Sequence, residues 1–300
     1  MKSVIALFMF CASLPFQVFA NASAGSAERN FVQVDGVKLA YRELGSGDPI
    51  IMFTRLRGTI DTWDPAFINA LAANYRVIMV DYPGVGYSEG QLPPDMVAVA
   101  DTMAKFAKVL GIGKFNLVSW SWGGALGQTF LVKHPEMVNR AILMGTNPAG
   151  KVEHAMRDDW FELAVKPVND LKDEETLFFE PAYEESLAAA KASHDRIYAR
   201  AGVTEHIPSS MNVFKLYFAA AEKFHEDKEG IRKGLTKSDV PMLIICGDND
   251  PGTPADNWFP LVRKIPRAQL LIMPRTGHGP HHQFPQLSAD YIHAFLKAEL

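Results

Sequence analysis

The chain has 300 residues, 48% hydrophobic and 21% charged, with a formal net charge of −4 at pH 7. Such a composition supports a sizeable core and excludes a disordered or low-complexity chain. The mildly acidic balance offers no electrostatic footing for nucleic acid, and no nucleic-acid partner is expected.

The first element in the chain stands apart. MKSVIALFMFCASLPFQVFANASAGSAE places a lysine before an apolar run, then small residues, with no charge between Lys2 and Glu28. The apolar part is short for a membrane span, and VFA and ANA suit cleavage after Ala20 or Ala22. Residues 1–22 therefore read as a secretory signal peptide, with an uncleaved anchor as the competing reading. Phe10 before Cys11 argues against a lipoprotein signal. The expected product is secreted or periplasmic, without stable membrane anchoring after cleavage. It keeps one cysteine, Cys246, and so cannot form an internal disulfide.

FVQVDGVKLAYREL alternates apolar and polar residues around Asp35-Gly36, which predicts a hairpin with a tight turn. PIIMFT, YRVIMVD, FNLVSW, RAILMG, PMLIICG and LLIM are short apolar runs bounded by turn residues. They lack alternation, as strands buried on both faces do. Helical patterns lie among them: PAFINALAAN, DMVAVADTMAKFAKVLG, GGALGQTFLVKHP and PQLSADYIHAFLKAEL. Alternating strands and helices predict an α/β fold with a mostly parallel sheet between helical layers.

From about Asn147 to Asp239 no strand pattern occurs. HAMRDDWFELAV, YEESLAAAKASHDRIYAR and SMNVFKLYFAAAEKF read as amphipathic helices. The expected organisation is a core domain in two parts, residues 27–146 and 240–300, with residues 147–239 as an all-helical cap. Trp160, Phe161, Phe214, Leu216 and Phe218 are too many large apolar groups for one small helical core, and some are expected to line a substrate pocket.

In LVSWSWGG, Ser121 follows the run at 115–120 and precedes a helix starting near Gly123 or Gly124. A strand-to-helix reversal lifts one side chain above the sheet edge and strains its backbone, so the positions two away must be small. They are Ser119 and Gly123. The helix N-terminus would favour a developing oxyanion. Taken alone, such a motif is as compatible with a plain turn. A serine nucleophile also needs a base, itself oriented by an acid. Downstream, Asp248 and Asp250 follow the run PMLIICG, and His278 follows LLIM. Serine, acid and base thus all stand past the carboxyl ends of strands, where sites form in open parallel sheets.

With these residues in view, the chain from Phe31 onward resembles the α/β-hydrolase superfamily, specifically its esterase, lipase and haloperoxidase-like serine hydrolases with a helical lid. TWDPAFINALAANYRVIMVDYPGVGYSEG, FNLVSWSWGGALGQTFLVKHPEMVNRAILMGTNPAG, MLIICGDNDPGTP and TGHGPHHQFP carry the resemblance. It implies an eight-stranded, mostly parallel sheet, with Ser121 as nucleophile, Asp250 as acid and His278 as base. It also implies oxyanion donors at the backbone N–H groups of Trp122 and Leu56, and no cofactor or metal. Two departures stand out: Ser119 replaces the usual glycine, and Thr54-Arg55 replaces His-Gly after the third strand. Serine at 121 sets the chain apart from haloalkane dehalogenases and epoxide hydrolases, which use aspartate.

The function implied is an exported carboxylic ester hydrolase for a small or medium ester-like molecule. Lactonase, amidase, carbon–carbon bond hydrolase and perhydrolase chemistry could use the same residues, and a non-catalytic binder is the competing class. Asp248 is the rival acid. His281 and His282 read as surface or supporting residues rather than metal ligands, His134 as structural, Trp120 as core and Cys246 as inert. Trp122 fits either a pocket wall or packing on the sheet. Arg55 and Arg57 read as solvated loop charges, with a contact to the protein's own acids or to an anionic substrate as the competing reading. An inward Arg55 would need a carboxylate, with Asp61 or Asp81 nearest in loop order.

Overall fold

The computed structural model describes residues 23–299, so the signal-peptide reading lies outside the described residues. Eight strands form one sheet: β1 (Asn30–Val34), β2 (Val37–Leu44), β3 (Pro49–Phe53), β4 (Arg76–Val80), β5 (Phe115–Trp120), β6 (Val138–Met144), β7 (Met242–Gly247) and β8 (Ala268–Met273). Their order is β1-β2-β4-β3-β5-β6-β7-β8. β2 pairs antiparallel with β1 and β4, and all other pairings are parallel. The β1–β2 hairpin turns on Asp35 and Gly36, both at positive φ (50° and 80°), as a tight two-residue turn demands.

α1 (Pro65–Ala72), α2 (Met96–Val109) and α3 (Trp122–Lys133) follow β3, β4 and β5. Between β6 and β7 lie α4 (Asp158–Ala164), α5 (Leu171–Phe178), α6 (Glu184–Tyr198), α7 (Met211–Glu226) and α8 (Ile231–Leu235). α9 (Pro280–Gln283) and α10 (Pro285–Lys297) complete the helices. Each face of the sheet packs its own core. Phe115 and Leu117 of β5 point into one, Val118 and Trp120 into the other. Burial on both faces is why these strands read as continuous apolar runs.

Polar contacts tie the β6–β7 insertion to the loop after β3 and to the start of α3. The Arg57 guanidinium donates to the carbonyls of Pro208, Ala164, Lys166 and Pro167 and to Asn169 Oδ1. Arg196 of α6 makes a two-pronged bond to Asp64 (2.8 and 2.7 Å), the residue that caps α1. Trp122 Nε1 donates to the Tyr217 carbonyl of α7 at 3.1 Å. The insertion is thereby docked beside the carboxyl ends of β3 and β5.

Candidate active site

Ser121 sits between β5 and α3 at φ 59° and ψ −120°, a region sparsely populated by residues other than glycine. Small neighbours make the turn possible. A Cβ on Gly123 would lie 2.3 Å from the Phe53 carbonyl oxygen and 2.4 Å from that of Thr54. Glycine there lets the start of α3 press against the loop after β3. Ser119 fits because Gly127 leaves room for it, a Cβ there lying 2.6 Å from Ser119 Oγ. The Ser119 hydroxyl donates to the Ile142 carbonyl (3.0 Å), which satisfies a buried polar group.

Ser121, His278 and Asp250 are brought together. His278 Nε2 lies 2.8 Å from Ser121 Oγ, and Nδ1 lies 2.8 Å from Asp250 Oδ2. Asp250 also accepts from Gly252 N (2.8 Å), Thr253 N (2.8 Å) and Thr253 Oγ1 (2.7 Å). Burial pushes its carboxyl up, but the adjacent His278 and the Thr253 donors outweigh that and hold it below the ordinary range. An ionised Asp250 fixes the proton on Nδ1 and leaves Nε2 free to accept one from Ser121. Asp248 is exposed, and its carboxylate accepts from Thr276 N at 3.0 Å, clasping the loops after β7 and β8. Thr253 was not singled out in the sequence, although an Asp followed by Pro-Gly-Thr is a turn in which the Asp side chain meets the following donors.

The His278 loop is fixed from two directions. Trp120 Nε1 donates to the His278 carbonyl at 2.9 Å, and Gly279 N donates to the Phe178 carbonyl at 2.7 Å. Trp160 of the insertion sets its ring 5.1 Å from the imidazole, edge to face.

The Trp122 and Leu56 backbone N–H groups have no acceptor among the described residues. Donors of this kind at a helix start and an adjacent loop suit a developing oxyanion. The loop is held by Asp81, which accepts from Ile60 N (2.7 Å) and Tyr87 N (2.9 Å), and by the Tyr82 hydroxyl on the Thr54 carbonyl (2.9 Å). Burial pushes the Asp81 carboxyl up to about 7 against those two N–H groups. The turn from Asp81 to Ser88, D-x-x-G-x-G-x-S in sequence, thus braces the loop after β3.

Several expectations are corrected. Arg55 points inward: its Nε is sealed from solvent, and its guanidinium lies 5.4 Å from the Trp120 ring and 4.5 Å from that of Phe178. Neither Asp61 nor Asp81 meets it. Asp61 pairs with Arg42 at 2.7 Å, and Asp81 is occupied as described. Arg57 is buried rather than solvated, because the insertion surrounds it. His281 and His282 are buried supports rather than surface residues, packed on the Trp120 ring at 4.4 and 4.7 Å. Other expectations stand: Trp122 takes the packing reading, between Tyr82 and Tyr217, and Cys246 is buried as expected, with its thiol pushed well above the ordinary range by burial. Of the aromatics expected at the pocket, Trp160 reaches His278. Phe214 instead lies under the Arg57 guanidinium, and Phe161 and Phe218 pair with each other, Phe161 being exposed.

Residues 48–285 match the family model described as alpha/beta hydrolase fold. Over 300 aligned residues the chain is 28% identical to a Burkholderia vietnamiensis protein named 2-hydroxy-6-oxononadienedioate/2-hydroxy-6-oxononatrienedioate hydrolase, covering 93% of this chain and 98% of that protein. It is 24% identical over 253 residues to the pimeloyl-(acyl-carrier protein) methyl ester esterase of Nitrosomonas europaea, covering 81% and 93%. The solved structure of an alpha/beta hydrolase fold protein from Chitinophaga pinensis superposes with a TM-score of 0.78 at 26% identity, covering 93% of this chain and 100% of that one.

Proposed function

Since the chain belongs to the α/β-hydrolase fold family, whose model spans residues 48–285, we propose that it is an exported serine hydrolase acting on carboxylic esters of small or medium size. One observation carries this: the unbroken hydrogen-bonded line from Asp250 through His278 to the strained Ser121. Strain at Ser121 keeps its hydroxyl above the sheet edge, and burial of Asp250 and His278 keeps water from competing for their bond.

Ser121 Oγ attacks the ester carbonyl while His278 Nε2 takes its proton, and Asp250 steadies the imidazolium that forms. The backbone N–H groups of Trp122 and Leu56 receive the negative charge on the tetrahedral oxygen. His278 then returns the proton to the departing alcohol. Water, deprotonated by His278, releases the acyl group from Ser121. This chemistry needs neither a metal nor an organic cofactor.

Turnover of p-nitrophenyl butyrate tests the assignment. Ser121→Ala is expected to lower kcat by about 10⁴- to 10⁶-fold while the fold is kept. Near-normal turnover in that variant would remove the acyl-enzyme mechanism. Hydrolysis of a carbon–carbon bond is the second reading, favoured by the likeness to the dienedioate hydrolase across 98% of that protein. Export rests on the N-terminal segment alone. N-terminal sequencing of the mature protein is expected to start at Asn21 or Ser23, and an intact Met1 on cell-retained protein would argue against export.

A further inference from the structure

A small cavity of about 90 Å³ lies between the loop after β3 and the insertion, lined by Arg55, Arg57, Asn169, Glu174, Phe178 and Tyr198 among others. Its two cations differ. Arg57 is saturated by insertion carbonyls and Asn169. Arg55 is not: Nη1 donates to its neighbour's carbonyl, Leu56 O, at 2.9 Å, and Nε is buried with no acceptor among the described residues. The acid of that lining, Glu174, is already held by His194 (2.8 Å) and the Tyr198 hydroxyl (2.6 Å). Glu174 also bears electrostatically on Arg55, although the two form no ion pair among the described residues.

A half-buried guanidinium with no ion pair among the described residues is costly, and Arg55 lies against the Trp120 and Phe178 rings. The N–H edge of a guanidinium is the geometry that binds a carboxylate in two-pronged fashion. Arg55 also stacks on the same Trp120 indole as His278 (5.4 and 5.9 Å) and immediately precedes Leu56. Arg55, half-buried on the wall of that cavity, therefore stands next to the loop that carries the Leu56 N–H.

Resting on the hydrolase assignment above, we propose that Arg55 binds a carboxylate on the acyl part of the substrate, so that the preferred substrates are half-esters of short dicarboxylic acids. The acyl side follows from the order of the reaction. Only the acyl part stays on Ser121 through both steps, so only a contact with it serves both.

The test compares monomethyl glutarate with methyl pentanoate in a pH-stat, using the full mature protein. Wild type is expected to show a kcat/KM at least 10-fold higher for the half-ester, and in Arg55→Met the ratio of the two kcat/KM values is expected to fall at least 30-fold. A wild-type ratio at or below one, or an unchanged ratio in Arg55→Met, overturns the proposal. Should that variant not fold, wild type still decides. Glutarate is expected to inhibit methyl pentanoate hydrolysis competitively and glutaramide is not, and equal or absent inhibition by both overturns the proposal. Methyl pentanoate turnover that depends on Ser121, with no preference for the half-ester, would leave the hydrolase assignment standing and remove only the role of Arg55.

Discussion

Trp120 donates its indole N–H to the main-chain carbonyl of His278 at 2.9 Å, so the residue just before the candidate nucleophile holds the loop of the candidate base. The two residues are 158 positions apart in the chain, yet this bond sets the reach from Nε2 to Ser121. Trp120→Phe keeps an aromatic ring, smaller than the indole, and removes the donor. We expect kcat to fall roughly 10-fold with a smaller change in KM, because a loosened base weakens the proton transfer rather than binding. An unchanged kcat would show that the loop needs no such tether.

Asp250 and Asp248 have separate tasks. Asp250→Asn replaces the acceptor of the imidazole N–H and favours the wrong tautomer, and kcat is expected to fall by about 10³- to 10⁴-fold. Asp248→Asn touches only an exposed loop clasp and is expected to cost less than about 10-fold. Steady-state kinetics on both variants checks the order, and the reverse order would move the acid to Asp248.

Arg57 is the main polar tie between the loop after β3 and the insertion. Arg57→Ala leaves several carbonyls without a donor, and a loss of about 3 kcal/mol in stability is expected. Limited proteolysis should then cut the insertion first, with a lowered kcat because Leu56 lies next to the lost anchor. Unchanged melting and unchanged proteolysis would contradict this role.

His281 and His282 give a pH test. Burial pushes His281 well below its ordinary range and His282 down to about 4. The unfolded chain takes up these protons near pH 6.5, so the folded state is fully favoured above that value and loses stability as pH falls toward 4. Asp81, pushed up to about 7, acts in the opposite sense, so the useful quantity is a difference between proteins. His281 has no partner on either ring nitrogen among the described residues and lies among Trp63, Phe67 and Trp120. His281→Phe is expected to gain stability over wild type by roughly 2 kcal/mol more at pH 5 than at pH 8. Urea denaturation at both values measures it, and a pH-independent difference would place the titration elsewhere.

The parts of the site that the sequence disclosed are those attached to strand ends. Ser121, Asp250 and His278 each follow an apolar run, and the sheet carries all three to one edge. The inward turn of Arg55 was not legible, because it depends on two rings from distant segments, Trp120 and Phe178. Phe178 itself ends α5, a short helix with a polar beginning set by an Asp170–Asp173 capping box, and only its last turn buries apolar residues. Its pattern is too brief to show a period. The sequence left His281 and His282 open between surface and supporting positions, and α9 places both beneath α6, where Ser193 meets His282 Nδ1 at 3.3 Å. Local polarity does not report such tertiary burial.

The most direct measurement is the intact mass of the purified protein after exposure to a fluorophosphonate, followed by peptide mapping. A single adduct on the peptide containing Ser121 is expected, absent in Ser121→Ala and strongly slowed in His278→Ala. No adduct on wild type, or equal labelling of Ser121→Ala, would contradict an activated serine at this site.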